Sequence, residues 1–179
     1  MSAMQRTRNF SISKDLSQER KEVIDRLVES VRLKIAYEQP PLTLSQIEIA
    51  IPEIQICEMP HSPVASQITY LDPNKLIAQI NIRSKDTQQN KVLHACHALG
   101  HYYLHARECF ACRLDFYGQQ DPQEIEATYF AETLMMPLRL VTELYRSLSG
   151  DYDPVYKLAK CFSVKRQIMQ DRLTSLDLL

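Results

Sequence analysis

The chain has 179 residues, 45% hydrophobic and 24% charged, enough for one core that removes about two-thirds of the unfolded surface from water. A formal net charge of -1, from 21 Lys and Arg against 22 Asp and Glu, gives no general drive toward nucleic acid, an anionic membrane or an acidic partner. No stretch approaches the roughly 18 apolar residues of a membrane span, residues 1–10 lack the apolar centre of a signal peptide, and five cysteines are too sparse for a disulfide scaffold. A cytoplasmic protein without membrane contact is expected.

Residues 1–14 read as a flexible lead-in and 15–179 as one domain, with 137–179 as a C-terminal helical subregion. Ser17 is placed to cap an amphipathic helix running to Ala36, with Val23, Ile24, Leu27, Val31 and Ile35 as its apolar face. Pro40 and Pro41 end that unit, and residues 43–50 form a second short helix closed by Pro52; both should cover the core. The pattern then changes to short β-prone runs, 54–57, 66–71 and 76–82, separated by Pro60, Pro63 and Asp72-Pro73-Asn74, which predict a small antiparallel sheet of three strands. Such a sheet offers an edge on which an extended peptide could pair. A long helix follows over residues 86–106, then an irregular connection over 107–120 that holds Gly118. Asp121 as cap and Pro122 at the first helical position open the next helix, which Pro137 interrupts, with Ala127, Phe130, Ala131 and Leu134 on its packed side. The predicted class is α+β.

Four of the five histidines, His94, His97, His101 and His105, fall in the long helix, within an arc of roughly 80° at helical spacing. His97 and His101 stand four apart, the spacing by which H-E-x-x-H sets two imidazoles on one zinc ion. Ala98 occupies the Glu position of that signature. The Glu does not bind metal but takes the proton from the metal-bound water, and losing such a base typically costs about 10²- to 10⁴-fold in rate. A third ligand is available from the following helix, where Glu124 shares a face with Thr128 and Glu126 points about 160° away.

Other readings attach to the same residues. Cys109-Phe-Ala-Cys112 has the spacing of half a structural zinc site with Cys96 or His105, but no second C-x-x-C exists. Cys96 lies about 100° from its neighbour His97 on a helix, which favours a buried thiol over a catalytic dyad. Tyr102 and Tyr103 are possible oxyanion donors, with packing as their ordinary role. The tail reads as helix, turn, helix, and Lys157, Lys160, Lys165, Arg166 and Arg172 outnumber Asp171 there. DNA contact is nevertheless not expected, given the overall charge and the ordinary use of such helix pairs as packed lids.

The run His97-Ala-Leu-Gly-His-Tyr-Tyr-Leu-His105, followed by Glu124-Ile-Glu-Ala-Thr-Tyr-Phe-Ala-Glu-Thr-Leu-Met-Met-Pro137, resembles the ImmA/IrrE metallopeptidases, whose pattern is H-E-L-G-H-x-x-L-H and then E-x-E-A-N-x-F-A-x-x-L-L-M-P. The tail from Val155 to Leu173 is similar to that family's closing segment, and with Ile80-Asn-Ile82 the likeness spans roughly residues 18–179. The resemblance implies a zincin-like fold, one Zn2+ on His97, His101 and Glu124, with Glu126 in reserve and His94, His105 and Thr128 around the site. It also implies a bacterial or phage protease whose protein substrate is a helix-turn-helix repressor.

The chain departs from the family pattern at Ala98, at His94, where a hydroxyl residue is usual, and at Thr128, where Asn is usual. Ala98 leaves two explanations: a natural pseudoprotease that binds without cutting, or a Glu-to-Ala form of an active enzyme. The intact ligands, second helix and tail favour the latter, because drift in a dead enzyme has no cause to remove one carboxylate alone. A rival class is a non-catalytic binding module stiffened by metal, and a DNA-binding regulator ranks last.

Overall fold

The computed structural model describes residues 16–62, 64–105 and 121–179. The expected lead-in, Pro63 and the connection that carries Cys109, Cys112 and Gly118 lie outside the described residues. Helix α1 spans Gln18–Ile35. Ser17 caps it by accepting from the Arg20 N–H, and Ala36 closes it in the left-handed region at φ 54°. Its buried stripe is Ile24, Val28, Val31 and Ile35. Val23, expected on that face, is 38% exposed, because it sits about 100° from Ile24, and Val28 takes its place. Helix α2, Leu44–Ala50, starts at Thr43 with a capping box completed by Gln46 and buries Ile47.

Strands β1 (Ile54–Met59), β2 (Ser66–Asp72) and β3 (Ile77–Arg83) form one sheet in the order β1-β3-β2. The sheet is mixed, which corrects the expectation of a wholly antiparallel one: β2 pairs antiparallel with β3, but β1 pairs parallel with it. The connections explain the difference. Between β2 and β3, Asp72 Oδ1 accepts from the Asn74 and Lys75 N–H groups, a tight turn that returns the chain beside itself. The segment after β1, residues 60–65, is longer, and β1 and β2 flank β3 on opposite sides. Central β3 buries Ala78, Ile80 and Ile82 completely, and Ile54 and Ile68 extend that face across both neighbours.

Helix α3 spans Gln88–His105 and packs on this sheet, with Val92, Ala95, Cys96 and Leu99 buried. Helix α4, Pro122–Met135, is capped by Asp121, whose carboxylate accepts from the Gln123 N–H, and buries Ala127, Phe130, Ala131 and Leu134 as expected. Tyr37, fully buried after α1, donates to the Met135 carbonyl at 3.0 Å and ties the two ends of the fold together. Helices α5 (Leu138–Ser147), α6 (Pro154–Cys161) and α7 (Arg166–Ser175) close the core with Val141, Leu158, Phe162, Met169 and Leu173. Among the described residues, no helix is long and apolar enough to cross a membrane.

The close approach of α3 and α4 depends on Gly100, where a Cβ would stand 2.8 Å from the Ala127 Cα and 2.9 Å from its carbonyl oxygen. Neither backbone atom can swing aside. Gly100→Ala is therefore expected to lower stability by about 1–3 kcal/mol, although Ala in a helix interior is intrinsically better by about 1 kcal/mol. Chemical denaturation checks this, and an unchanged midpoint would mean that α4 slides without cost.

A second expectation concerns pH. Burial pushes the Glu132 carboxyl of α4 up to about 7, against the lowering pull of Arg172 and with the repulsion of Asp171. The folded pKa thus lies above the ordinary 4.5, so the stability associated with the protonated group is full below that value and is lost as pH rises through 7. Glu132→Gln should raise Tm at pH 8, by up to about 3 kcal/mol of stability, and change it little at pH 4. A larger gain at pH 4 than at pH 8 would contradict the sign.

Candidate metal centre

The helical spacing of α3 brings His97 and His101 to one face, one turn apart, and both are nearly buried. Their Nε2 atoms stand 3.1 Å from each other. From α4, held close by Gly100, the Glu124 carboxylate meets both, Oε2 at 3.0 Å from His97 Nε2 and Oε1 at 3.4 Å from His101 Nε2. One ligand atom from each of the three lies within 4.8 Å of the others. The sequence left Glu124 and Glu126 as alternatives on geometry alone, and the fold separates them. Only Glu124 faces the two imidazoles; Glu126 turns to His105 at 2.9 Å and to Arg20 of α1.

The remaining ring nitrogens are also held. His97 Nδ1 lies 3.3 Å from Thr128 Oγ1, and His101 Nδ1 lies 3.2 Å from His105 Nδ1. When each Nδ1 carries the proton, His97 donates to Thr128 and His101 donates to His105, which opens both Nε2 lone pairs to a cation; with a proton on Nε2 instead, the rings donate to the Glu124 carboxylate. Burial raises the Glu124 pKa, but hydrogen bonds and charge from His101 and His97 outweigh it and hold the carboxyl down at about 2. The group is therefore an anion at any physiological pH. Two imidazoles and one carboxylate, half enclosed and backed by a polar layer, make a group that could hold a metal ion through three protein donors.

His94 does not join this cluster; its Nε2 lies 3.4 Å from Asp86 Oδ2. Ala98 is buried among apolar neighbours, a methyl group where a base would stand. Cys96 is fully buried, and burial pushes its thiol well above the usual range, so it is a core residue rather than a nucleophile. Tyr102 donates to the Leu76 carbonyl at 2.8 Å and stacks on Tyr70, while Tyr103 stacks on Phe130; both pack the α3 interface. In the tail, Lys157 and Arg166 pair with Asp151 and Asp153, Lys160 lies over the Tyr156 ring, and buried Arg172 donates to the Met136 carbonyl. Sequence reading passed over Arg20 and Gly100. Gly100 had a signal, a glycine inside a helix with no turn to make; Arg20 had none, since its partner lies 106 positions away.

Comparison with known proteins agrees with this geometry. The family described as Peptidase_M78, IrrE N-terminal-like domain, matches residues 51–174, which include β1 to β3, both helices of the cluster and most of the tail. None of the curated proteins matches the chain.

A divalent transition-metal ion at about 100 times its Kd should stabilise the fold by about 2.7 kcal/mol, a rise in Tm of roughly 5–10 °C. The rise is expected for the parent chain and for Glu126→Gln, and should vanish in His97→Ala and Glu124→Gln. Differential scanning fluorimetry with and without metal reads it, and a rise retained in Glu124→Gln would remove that residue from the centre.

Proposed function

Because the chain belongs to the IrrE N-terminal-like peptidase family, with a metallopeptidase-like scaffold, we propose that His97, His101 and Glu124 hold one zinc ion in a site shaped for peptide-bond hydrolysis. The observation that carries the reading is the meeting of the two Nε2 atoms with the Glu124 carboxylate on facing helices. Zinc on such a donor set lowers the pKa of a bound water to about 7 and polarises a carbonyl oxygen.

The chain's own residues supply the remainder. His97 and His101 are oriented by Thr128 and His105, and Glu124 contributes the one negative charge among the three donors. Both sheet edges reach α3, β1 through the Glu58–Lys91 pair at 2.7 Å, but β2 packs on it more extensively, with Ser66 Oγ 3.5 Å from the His94 carbonyl. We assign the extended substrate segment to that edge, where backbone pairing would carry it past the metal helix. At position 98 no side chain takes the proton from water, so the chain as it stands binds substrate and turns over poorly. The substrate class is a protein regulator, with a helix-turn-helix repressor as the first candidate, and a cytoplasmic location fits it.

The second reading rests on Ala98 itself: a pseudoprotease that recognises its regulator and does not cut. Acidic or aromatic neighbours of Lys157, Lys160 and Arg166, and the burial of Arg172, weigh against the DNA-binding reading. Ala98→Glu is expected to raise zinc-dependent cleavage of a repressor partner by about 10²- to 10⁴-fold over the parent chain, with His97→Ala abolishing the gain. Mass analysis of the products reads it. A bound but uncut partner in the Ala98→Glu form would favour the binding module.

A further inference from the structure

Behind the three donors lies a polar chain that runs to α1, outside the stretch matched by the peptidase family. Arg20 grips Glu126 with two bonds, Nε to Oε1 at 2.6 Å and Nη2 to Oε2 at 2.5 Å. Glu126 Oε2 also meets His105 Nε2 at 2.9 Å, and His105 Nδ1 meets His101 Nδ1 at 3.2 Å. His105 is 4% exposed, so this ring has little recourse to water. Arg20 begins at a side-chain exposure of 37%, Glu126 falls to 16%, and His101 ends at 6%, a path from surface to centre.

The direction of each bond follows from the chemistry of its ends. Arginine only donates, and a carboxylate only accepts. Glu126 therefore takes an N–H from His105 Nε2, which in the neutral ring leaves His105 Nδ1 as an acceptor. His101 Nδ1 then carries the proton and donates it, and its lone pair is confined to Nε2, the atom that faces His97 and Glu124. A ligand histidine whose second nitrogen is fixed in this way loses less freedom on binding metal and is a more basic donor.

We propose that Arg20 is a positioning residue of the metal centre: through Glu126 and His105 it fixes the tautomer and orientation of His101, so that α1 sets metal affinity without touching a ligand. This rests on the reading of His97, His101 and Glu124 as the metal site. Loss of the two-point grip frees the partly exposed Glu126 carboxylate to turn to solvent, and the proton position on His105 and His101 is no longer dictated.

The test is zinc affinity by competition with a chromogenic chelator, together with imidazole 15N shifts in the zinc-free protein. His105→Phe should weaken zinc about ten- to a hundredfold and Arg20→Met about three- to tenfold, with Arg20→Lys between Arg20→Met and the parent. The Arg20→Met/His105→Phe double variant should be no weaker than His105→Phe alone. In Arg20→Met the His101 ring should report a mixture of tautomers where the parent reports one.

Asp25→Ala is the control for helix docking, because Tyr129 of α4 donates to Asp25 of α1 at 3.0 Å in a bond apart from the chain. Equal weakening in Asp25→Ala and Arg20→Met, or additive losses in the double variant, would assign the effect to docking and overturn the proposal. Unchanged affinity in Arg20→Met would overturn it while leaving the metal centre intact. No zinc on the parent chain would remove the centre itself, and the proposal with it.

Discussion

At Gly100 the backbones of α3 and α4 meet with no side chain between them, and the geometry of the cluster is inherited from that contact. Helices separated by ordinary side chains run 8–10 Å apart, a range in which a glutamate from one reaches the face of the other only at full stretch. With Gly100 against Ala127, and Ala131 one turn further along, small residues line the seam. The Glu124 carboxylate then reaches both Nε2 atoms from less than one turn before the contact. Helical spacing on α3 sets how far apart the two imidazoles are, and the seam sets whether a carboxylate can meet them.

A tight seam alone would bury polar groups at a cost. His97, His101, His105 and Thr128 all lie at 5% exposure or less, and an unpartnered polar group in such surroundings costs on the order of 1–3 kcal/mol. The fold answers by giving the ring nitrogens partners on both sides. On the inner side Glu124 is held ionised; on the outer side Thr128 and the Glu126–His105 pair receive the N–H groups. The outer bonds fix ring orientations in which both Nε2 atoms face one point, so the contacts that make burial tolerable also place the donors for a cation.

Much of this was legible in the residues, for reasons that differ by element. Caps and periodicity announced α1 and α4, because Ser17 and Asp121 act through bonds two or three positions away, and flanking prolines bounded α2. The i, i+4 spacing of His97 and His101 is likewise local, and resemblance to known motifs supplied Glu124. Strand pairing was less accessible: all three strands were readable from their composition, but the parallel pairing of β1 with β3 depends on where the connecting chain goes. Val23 was misplaced because two adjacent valine-isoleucine positions compete for one stripe, and the shape of the facing helix decides between them. Hardest of all was Arg20. A surface-type residue on an amphipathic helix carries no mark of a partner on a distant element.

That distance has a consequence in time. The candidate donors His97 and Glu124 are 27 positions apart, whereas Arg20 and Glu126 are separated by 106. Closing the shorter loop is entropically cheaper and kinetically earlier. On a ribosome adding about 5–20 residues per second, α1 emerges roughly 5–20 s before its docking site on α4 has been made. During that interval Ile24, Val28, Val31 and Ile35 have no α4 surface to cover them. The pairing of α3 with α4 thus closes over a far shorter stretch of chain than the docking of α1 on α4, and the donors His97 and Glu124 can meet before Arg20 reaches Glu126.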